Sequence, residues 1–321
     1  MSEIVCGIGM SHAPGALGWP DAPSEPMRDR IAAAVGELRE YLARRSPDVL
    51  VAFLDDHFDN HFRNLMPIFS VGISDAHTGP APQYLEMLKI ERVSDIPSRP
   101  DVAERLLEGL VHSGFDVARM GRVAYGNNLM VPLQLIRPEL DIPIVPVFID
   151  VFTRPIARIE RVYALGERIR QVLENGDDRV GFIATGGLSH WPPIWNEQSD
   201  PDDVMLQRMK RFQTEGLSVL GEDPDLWVDV GKYEIEMAEK NAQRLVNEDW
   251  DRRFLALLEK GDTDGVLAMT FESVEEEAGH GGHEILNWVA LMGAMHGAPA
   301  ELVGYEPVLE WICGMGFLRY P

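Results

Sequence analysis

Only two cysteines occur in 321 residues, Cys6 and Cys313, near opposite ends of the chain. That excludes a disulfide framework, and their spacing fits no thiolate zinc site. Long apolar runs are missing as well: no stretch reaches the roughly 18 uninterrupted apolar residues of a spanning helix. The opening MSEIVCGIGMSHAPG has no basic segment leading into an apolar one, so no secretory signal is expected and a reducing, cytoplasmic setting is. Positive charge is scarce. Against 52 Asp+Glu stand 29 Lys+Arg, a net charge of −23, and such a surface repels phosphate backbones and anionic lipid headgroups. Nucleic-acid and membrane-surface roles are thereby set aside, whereas a local cationic pocket or a metal still admits a small anionic substrate. Several nucleotide and catalytic signatures are absent. Gly7-Ile8-Gly9 lacks the third glycine and following helix of a dinucleotide fingerprint, and no P-loop, Gly-x-Ser-x-Gly elbow, HExxH or CxxC pair occurs.

What remains is ordinary globular composition, 45% hydrophobic and 25% charged, in a chain long enough to bury a large core. Short apolar runs at Ile4–Met10, Asp48–Leu54, Ile144–Ile149 and Val180–Thr185 have the length and continuity of strands covered on both faces. Ile68–Ile73 and Phe115–Met120 are weaker candidates. Between and after them, apolar residues recur at three- and four-residue spacing, as at Met27, Ile31, Val35, Leu38 and Leu42. Helices are expected at Pro26–Arg45, Asp101–Ser113, Arg158–Glu174, Asp203–Leu220, Tyr233–Val246, Asp251–Glu259 and His283–Met295. The fold class expected is α/β, a central, mostly parallel sheet flanked by helices, with a helix-rich C-terminal half. Asn196–Asp203 reads as an exposed polar connection, but no repeat or clean domain boundary is visible, so 1–321 reads as a single catalytic domain. Glu275-Glu276-Glu277 reads as a solvated helix face, and the tryptophans as core or pocket wall.

Of nine histidines, three fall just past predicted strand ends: His12, His57 and His190. In an open α/β sheet, ligands bind outside the carboxyl ends of the strands. A metal site built there needs neutral imidazoles and usually a carboxylate, and the two-histidine-one-carboxylate triad leaves positions open for substrate and dioxygen on Fe(II). The carboxylate candidate is Glu284, in Gly281-Gly282-His283-Glu284-Ile285, although a first-turn helix acid would look the same. Spacing does not choose between His57 and His61, four residues on, nor between Glu284 and the adjacent His283.

These residues lie in longer ordered motifs. GIGMSHAPG, DDHFDNHFRNLMPIFSVGI, IPIVPVFID, ATGGLSHWPP, NEDWDRRFLALLEKGD, GGHEILNWVALMGAM and PVLEWICGMGF run through most of the chain. In them the sequence resembles the class III extradiol ring-cleaving dioxygenases. It is most similar to those grouped with 2,3-dihydroxyphenylpropionate 1,2-dioxygenase, and more distantly similar to the catalytic β-subunit of protocatechuate 4,5-dioxygenase. The resemblance implies non-haem Fe(II) held by His12, His57 and Glu284, with O2 as co-substrate and a small aromatic diol or aminophenol as substrate. His190, in the Gly-Gly-Leu-Ser-His-x-Pro-Pro motif, inherits an acid–base role. It also implies a homo-oligomer and leaves room for a separate small helical subunit. One position departs from the family pattern. Asn127 stands where a second active-site histidine is common, and an amide can hydrogen-bond a substrate oxygen but cannot carry a proton at neutral pH. Tyr125 and Trp191 are candidate walls of the substrate pocket, and Arg154 a candidate cation for a substrate carboxylate. Two further readings stay open on these residues, a metal-dependent hydrolase or lyase in the same pocket and a non-catalytic metal-binding relative.

Overall fold

The computed structural model describes residues 2–321, and the side chains of all of these but 241–244. Among the described residues, ten strands form: β1 (Glu3–Met10), β2 (Val49–Leu54), β3 (Phe69–Gly72), β4 (Ala76–Gly79), β5 (Ser94–Pro97), β6 (Ala118–Met120), β7 (Ile144–Ile149), β8 (Arg179–Thr185), β9 (Glu301–Val308) and β10 (Cys313–Tyr320). Eight of them make one sheet in the order β6-β3-β7-β2-β8-β1-β10-β9, and β4 and β5 pair separately. The central strands β7, β2, β8 and β1 are parallel, joined to β3 on one side and to β10 on the other by antiparallel pairing. Every residue of β2 and β7 is buried, which is why both read as uninterrupted apolar runs. Side chains such as Leu50, Val51, Phe53 and Val147 are wholly inaccessible. Each contributes about 1.5–3 kcal/mol when fully buried.

Helices cover both faces. Pro100–His112, Ile159–Leu173 and Ile285–Ala294 pack on one side, and Glu25–Arg45 with Asn127–Ile136 on the other. The expected α/β class, mostly parallel sheet and helix-rich second half are all present. Individual boundaries shift. The helix expected at Tyr233–Val246 starts earlier and runs Leu226–Leu245, and Asp203–Leu220 resolves into an α-helix at Val204–Glu215 and a 3-10 segment at Gly216–Gly221. Of the three adjacent glutamates, Glu276 and Glu277 are exposed, but Glu275 is partly buried against His283. Among the described residues, no helix is long and apolar enough to cross a membrane.

The parallel strands leave their carboxyl ends along one edge of the sheet. Because β10 runs against β1, its first residues meet the same edge. Ser11 is fastened there: its hydroxyl donates to Gly314 O at 3.0 Å and accepts from Gly316 N at 3.0 Å.

Candidate active site

Four side chains converge at that edge. His12 follows β1, Asp55 and His57 follow β2, and Glu284 closes the one-turn 3-10 segment His280–Glu284 ahead of helix Ile285–Ala294. One ligand atom from each of the four lies within 4.8 Å of all the others, an arrangement that could hold a metal ion. His12 Nε2 is 3.2 Å from Glu284 Oε2, and His57 Nε2 is 3.3 Å from Glu284 Oε1 and 2.8 Å from Asp55 Oδ2.

Hydrogen bonding behind each ring sets its tautomer. Thr185 Oγ1 spends its proton on Asn128 O (2.6 Å), so at 3.2 Å from His12 Nδ1 it accepts, and Nδ1 carries the hydrogen. Asn127 Nδ2 donates to His12 O (3.3 Å), which turns Asn127 Oδ1 toward His57 Nδ1 at 2.9 Å, and that nitrogen also carries its hydrogen. The Nε2 atoms of both rings, the lone-pair positions of the neutral imidazoles, therefore face carboxylate oxygens. A cation satisfies all of these acceptors at once, and backing hydrogen bonds of this kind are the usual support of metal-ligating histidines. Asp55 fits the same need: Oδ1 accepts from Asn287 Nδ2 at 2.8 Å, while the buried Oδ2 lies beside His57 Nε2 without forming a well-aligned hydrogen bond.

The electrostatics agree. Burial opposes protonation of His57, yet the facing Asp55 and Glu284 carboxylates outweigh it and hold its pKa well above the ordinary imidazole value. Burial likewise resists ionisation of Glu284, but the His190 and His12 rings hold it well below the usual carboxylate range. Positive charge is thus strongly favoured at the centre of the cluster.

His190 follows β8 through Gly186-Gly187-Leu188-Ser189. Its Nδ1–H donates to Leu188 O at 2.8 Å, which leaves Nε2 as a free base 3.3 Å from Glu284 Oε1. Burial lowers its pKa, and Glu284 and the Leu188 carbonyl raise it by more. Two glycines make room for the ring: a Cβ on Gly281 would lie 2.5 Å from His190 Nε2, and one on Gly187 2.6 Å from its Cε1. The loop is pinned from below by Asp251, which is fully buried and accepts from Ser189 N (2.7 Å), Ser189 Oγ (2.9 Å) and Tyr305 OH (2.7 Å).

The cluster opens into a cavity with about 660 Å³ of empty space. Its polar wall is His12, His57, Asn127, His190, Glu284 and Glu234; Tyr84, Met87, Ile194, Trp227, Val230 and Trp311 supply most of the apolar one. Burial pushes the Glu234 carboxyl up to about 7 against the pull of His190 and His57.

Residues 6–316 match the family model described as the catalytic LigB subunit of aromatic ring-opening dioxygenase. The chain belongs to this family. It is similar over nearly its whole length to proteins named 2,3-dihydroxyphenylpropionate/2,3-dihydroxicinnamic acid 1,2-dioxygenase. The one from Rhodococcus jostii (strain RHA1) is 31% identical over 312 residues, covering 96% of this chain and 95% of that protein. The one from Escherichia coli (strain K12 / DH10B) is 28% identical over 322 residues, covering 96% of each. In fold it is similar to an uncharacterized protein from Escherichia coli K12, with a TM-score of 0.52 at 14% identity over 99% of this chain and 100% of the other. As a member of the LigB family the chain is an extradiol, ring-cleaving dioxygenase and an oxidoreductase.

Within this LigB-family site, the competing residues separate cleanly. His61 turns away to Asp56 (3.5 Å) and Ser70, and His283 stacks on Phe271 at 4.1 Å and pairs with Glu275 at 2.8 Å. Asn127 does line the cavity, but both ends of its amide are engaged by His12 and His57, so it orients the His57 ring and is not held ready for substrate. Tyr125 and Trp191 do not line the cavity. Tyr125 is wholly buried against His77, and Trp191 packs on His280. The aromatic walls are Tyr84, Trp227 and Trp311. Arg154 also lies elsewhere, 3.9 Å over the Phe271 ring in a neighbouring cavity. Sequence reasoning missed Asp55 and Glu234. The strand-end argument that singled out His57 applies equally to Asp55 two residues earlier. Glu234 sits mid-helix in a polar stretch and has no local signal.

Proposed function

We propose that this chain is an Fe(II)-dependent extradiol dioxygenase that opens a catechol-type ring with O2, residues 1–321 acting as a single catalytic unit. The observation that carries the reading is the pair of imidazole Nε2 lone pairs and the Glu284 carboxylate aimed at one point, each ring's Nδ1–H held from behind. His12, His57 and Glu284 would hold the metal, and Asp55 adds negative charge beside them. Bound Fe(II) would supply the template and electron path between a chelated diolate and dioxygen.

The protein's own part follows from the geometry. The flat apolar walls bind an aromatic ring and keep bulk water from the reacting oxygens. His190, its Nδ1–H fixed on Leu188 O, accepts at Nε2 the proton of a substrate hydroxyl and returns it later to a product oxygen. Glu284, 3.3 Å away, stabilises the imidazolium formed between those events. Asn127 takes no proton, so His190 alone handles proton transfer. A role for Asn127 in holding His57 also accounts for its departure from the family pattern without a change of reaction.

The test is oxygen uptake by protein loaded anaerobically with Fe(II) and presented with catechols and aminophenols. Uptake stoichiometric with a yellow ring-opened product is expected. Full metal occupancy with no uptake across the series, or turnover that proceeds without oxygen, would overturn the reading.

A further inference from the structure

The cavity wall has an unusual charge pattern for an enzyme whose named relatives act on a phenylpropionate. Among its described lining residues there is no lysine and no arginine. There is instead Glu234, contributed by helix Leu226–Leu245, whose carboxylate has no hydrogen-bond or ion-pair partner among the described residues. Nearby cations are engaged elsewhere: Lys232 with Asp229, Arg208 with Asp223 and Asp229, and Arg63 with Glu197. Glu234 is not remote from the chemistry, because its charge is felt by His190, His57, Tyr84 and Cys313.

Glu234 is only partly buried, so water meets its carboxylate until a ligand fills the cavity; a ligand that displaces this water without bringing a donor leaves the acceptor unpaired, and a site built that way rejects it. A carboxylate beside it meets like charge with no counter-cation and must be desolvated as well. We propose that Glu234 determines the substrate class. On this view the catechol-type ring carries, besides its two metal-facing oxygens, a substituent that donates a hydrogen bond, a hydroxyl or an ammonium, and not a carboxylate. The proposal rests on the ring-cleaving reading above for the identity of the ring, and on the cavity wall for the identity of the substituent.

Four catechols differing only at the 3-position separate the two: 3-ethyl, 3-(2-hydroxyethyl), 3-(2-aminoethyl) and 3-(2-carboxyethyl). Trp227 and Trp311 line the cavity, so anaerobic binding to the Fe(II)-loaded protein is followed by quenching of tryptophan fluorescence, at about pH 8.5 so that Glu234, raised to about 7, is ionised. The hydroxyethyl and aminoethyl compounds are expected to bind more tightly than the ethyl one, and the carboxyethyl compound at least ~10-fold more weakly than it, the scale on which a missing or mismatched polar group is penalised. In Glu234→Gln the aminoethyl preference and the carboxyethyl penalty, each as a ratio to ethyl, shrink toward one. Carboxyethyl binding as tight as ethyl in the unaltered protein, or the same ratios in Glu234→Gln, overturns the proposal; should that variant not fold, the order in the unaltered protein decides. Oxygen uptake with the same compounds is read separately. Binding in the expected order without uptake upholds the role of Glu234 and overturns ring cleavage, and failure of all four to bind overturns both.

Discussion

The Oδ1 atom of Asn127 stands 2.9 Å from Nδ1 of His57, and this contact decides which nitrogen of the ring faces the cavity. Without it the imidazole is free to rotate or to change tautomer. Asn127→Ala is expected to lower metal affinity by ~10–100-fold, the usual cost of removing such a backing group. Competition against a chelator of known affinity measures it; unchanged affinity would mean that His57 is not a ligand or needs no support.

His190 is expected to act on protons and not to hold metal. His190→Ala should keep full metal content and lose turnover by ~10²–10⁴-fold. Gly281→Ala should do much the same from the other direction, because its Cβ would press 2.5 Å from the ring of His190. Loss of metal from His190→Ala, measured by elemental analysis, would reassign that residue to the ligand set.

Asp55 has one oxygen tied to Asn287 and the other 2.8 Å from His57 Nε2. Removing its charge in Asp55→Asn is expected to weaken Fe(II) binding ~10-fold or more, on the scale of a lost supporting group. His61→Ala, altering a ring that faces Asp56, should bind metal as before. Equal effects from the two variants in a calorimetric titration would show that general loss of packing, not charge at the cluster, is responsible.

Asp251 gives a prediction on stability. Burial lifts its carboxyl from 3.8 to about 6 against the hydrogen bonds from Tyr305 and Ser189 that pull it down. The native state therefore holds this proton more tightly than the unfolded chain. Its contribution is complete below the unfolded value and is lost as pH rises through the folded one, about 2 kcal/mol of it between pH 4 and pH 7. Asp251→Asn cannot ionise, so the stability of the native protein relative to the variant should fall by about that amount across the same window. Urea unfolding of both at the two pH values tests it, and a difference independent of pH would refute the assignment.

The strands that carry the site were legible because they lie in mid-sheet. β2, β7 and β8 have helices on both faces, so nearly every residue is apolar, and the runs of β2 and β8 end abruptly at the loops that bear Asp55 with His57 and His190. The β9–β10 hairpin escaped notice because ELVGYEPV is partly exposed and CGMGFLRY is broken by glycines; their pairing depends on the edge offered by β1. Helix Asn127–Ile136 was hidden by two opening asparagines and by Pro132 in its interior. The choice of Glu284 over His283 turns on the 3-10 segment, which sends one residue inward and its neighbour out to Glu275, and local spacing contains no trace of that. Glu234 depends wholly on where the tertiary fold sets its helix.

The fastening of Ser11 to Gly314 and Gly316 spans 303 and 305 residues of chain. His12, the residue beside it, therefore gains its final position only when β10 docks against β1. Contacts between such distant segments form late and slow the overall folding of a chain. During synthesis His57 and His190 leave the ribosome well before the partner strand that steadies His12. The nascent chain therefore carries these imidazoles before the cluster is complete, and binding of a metal by the whole set is expected only after β10 has docked.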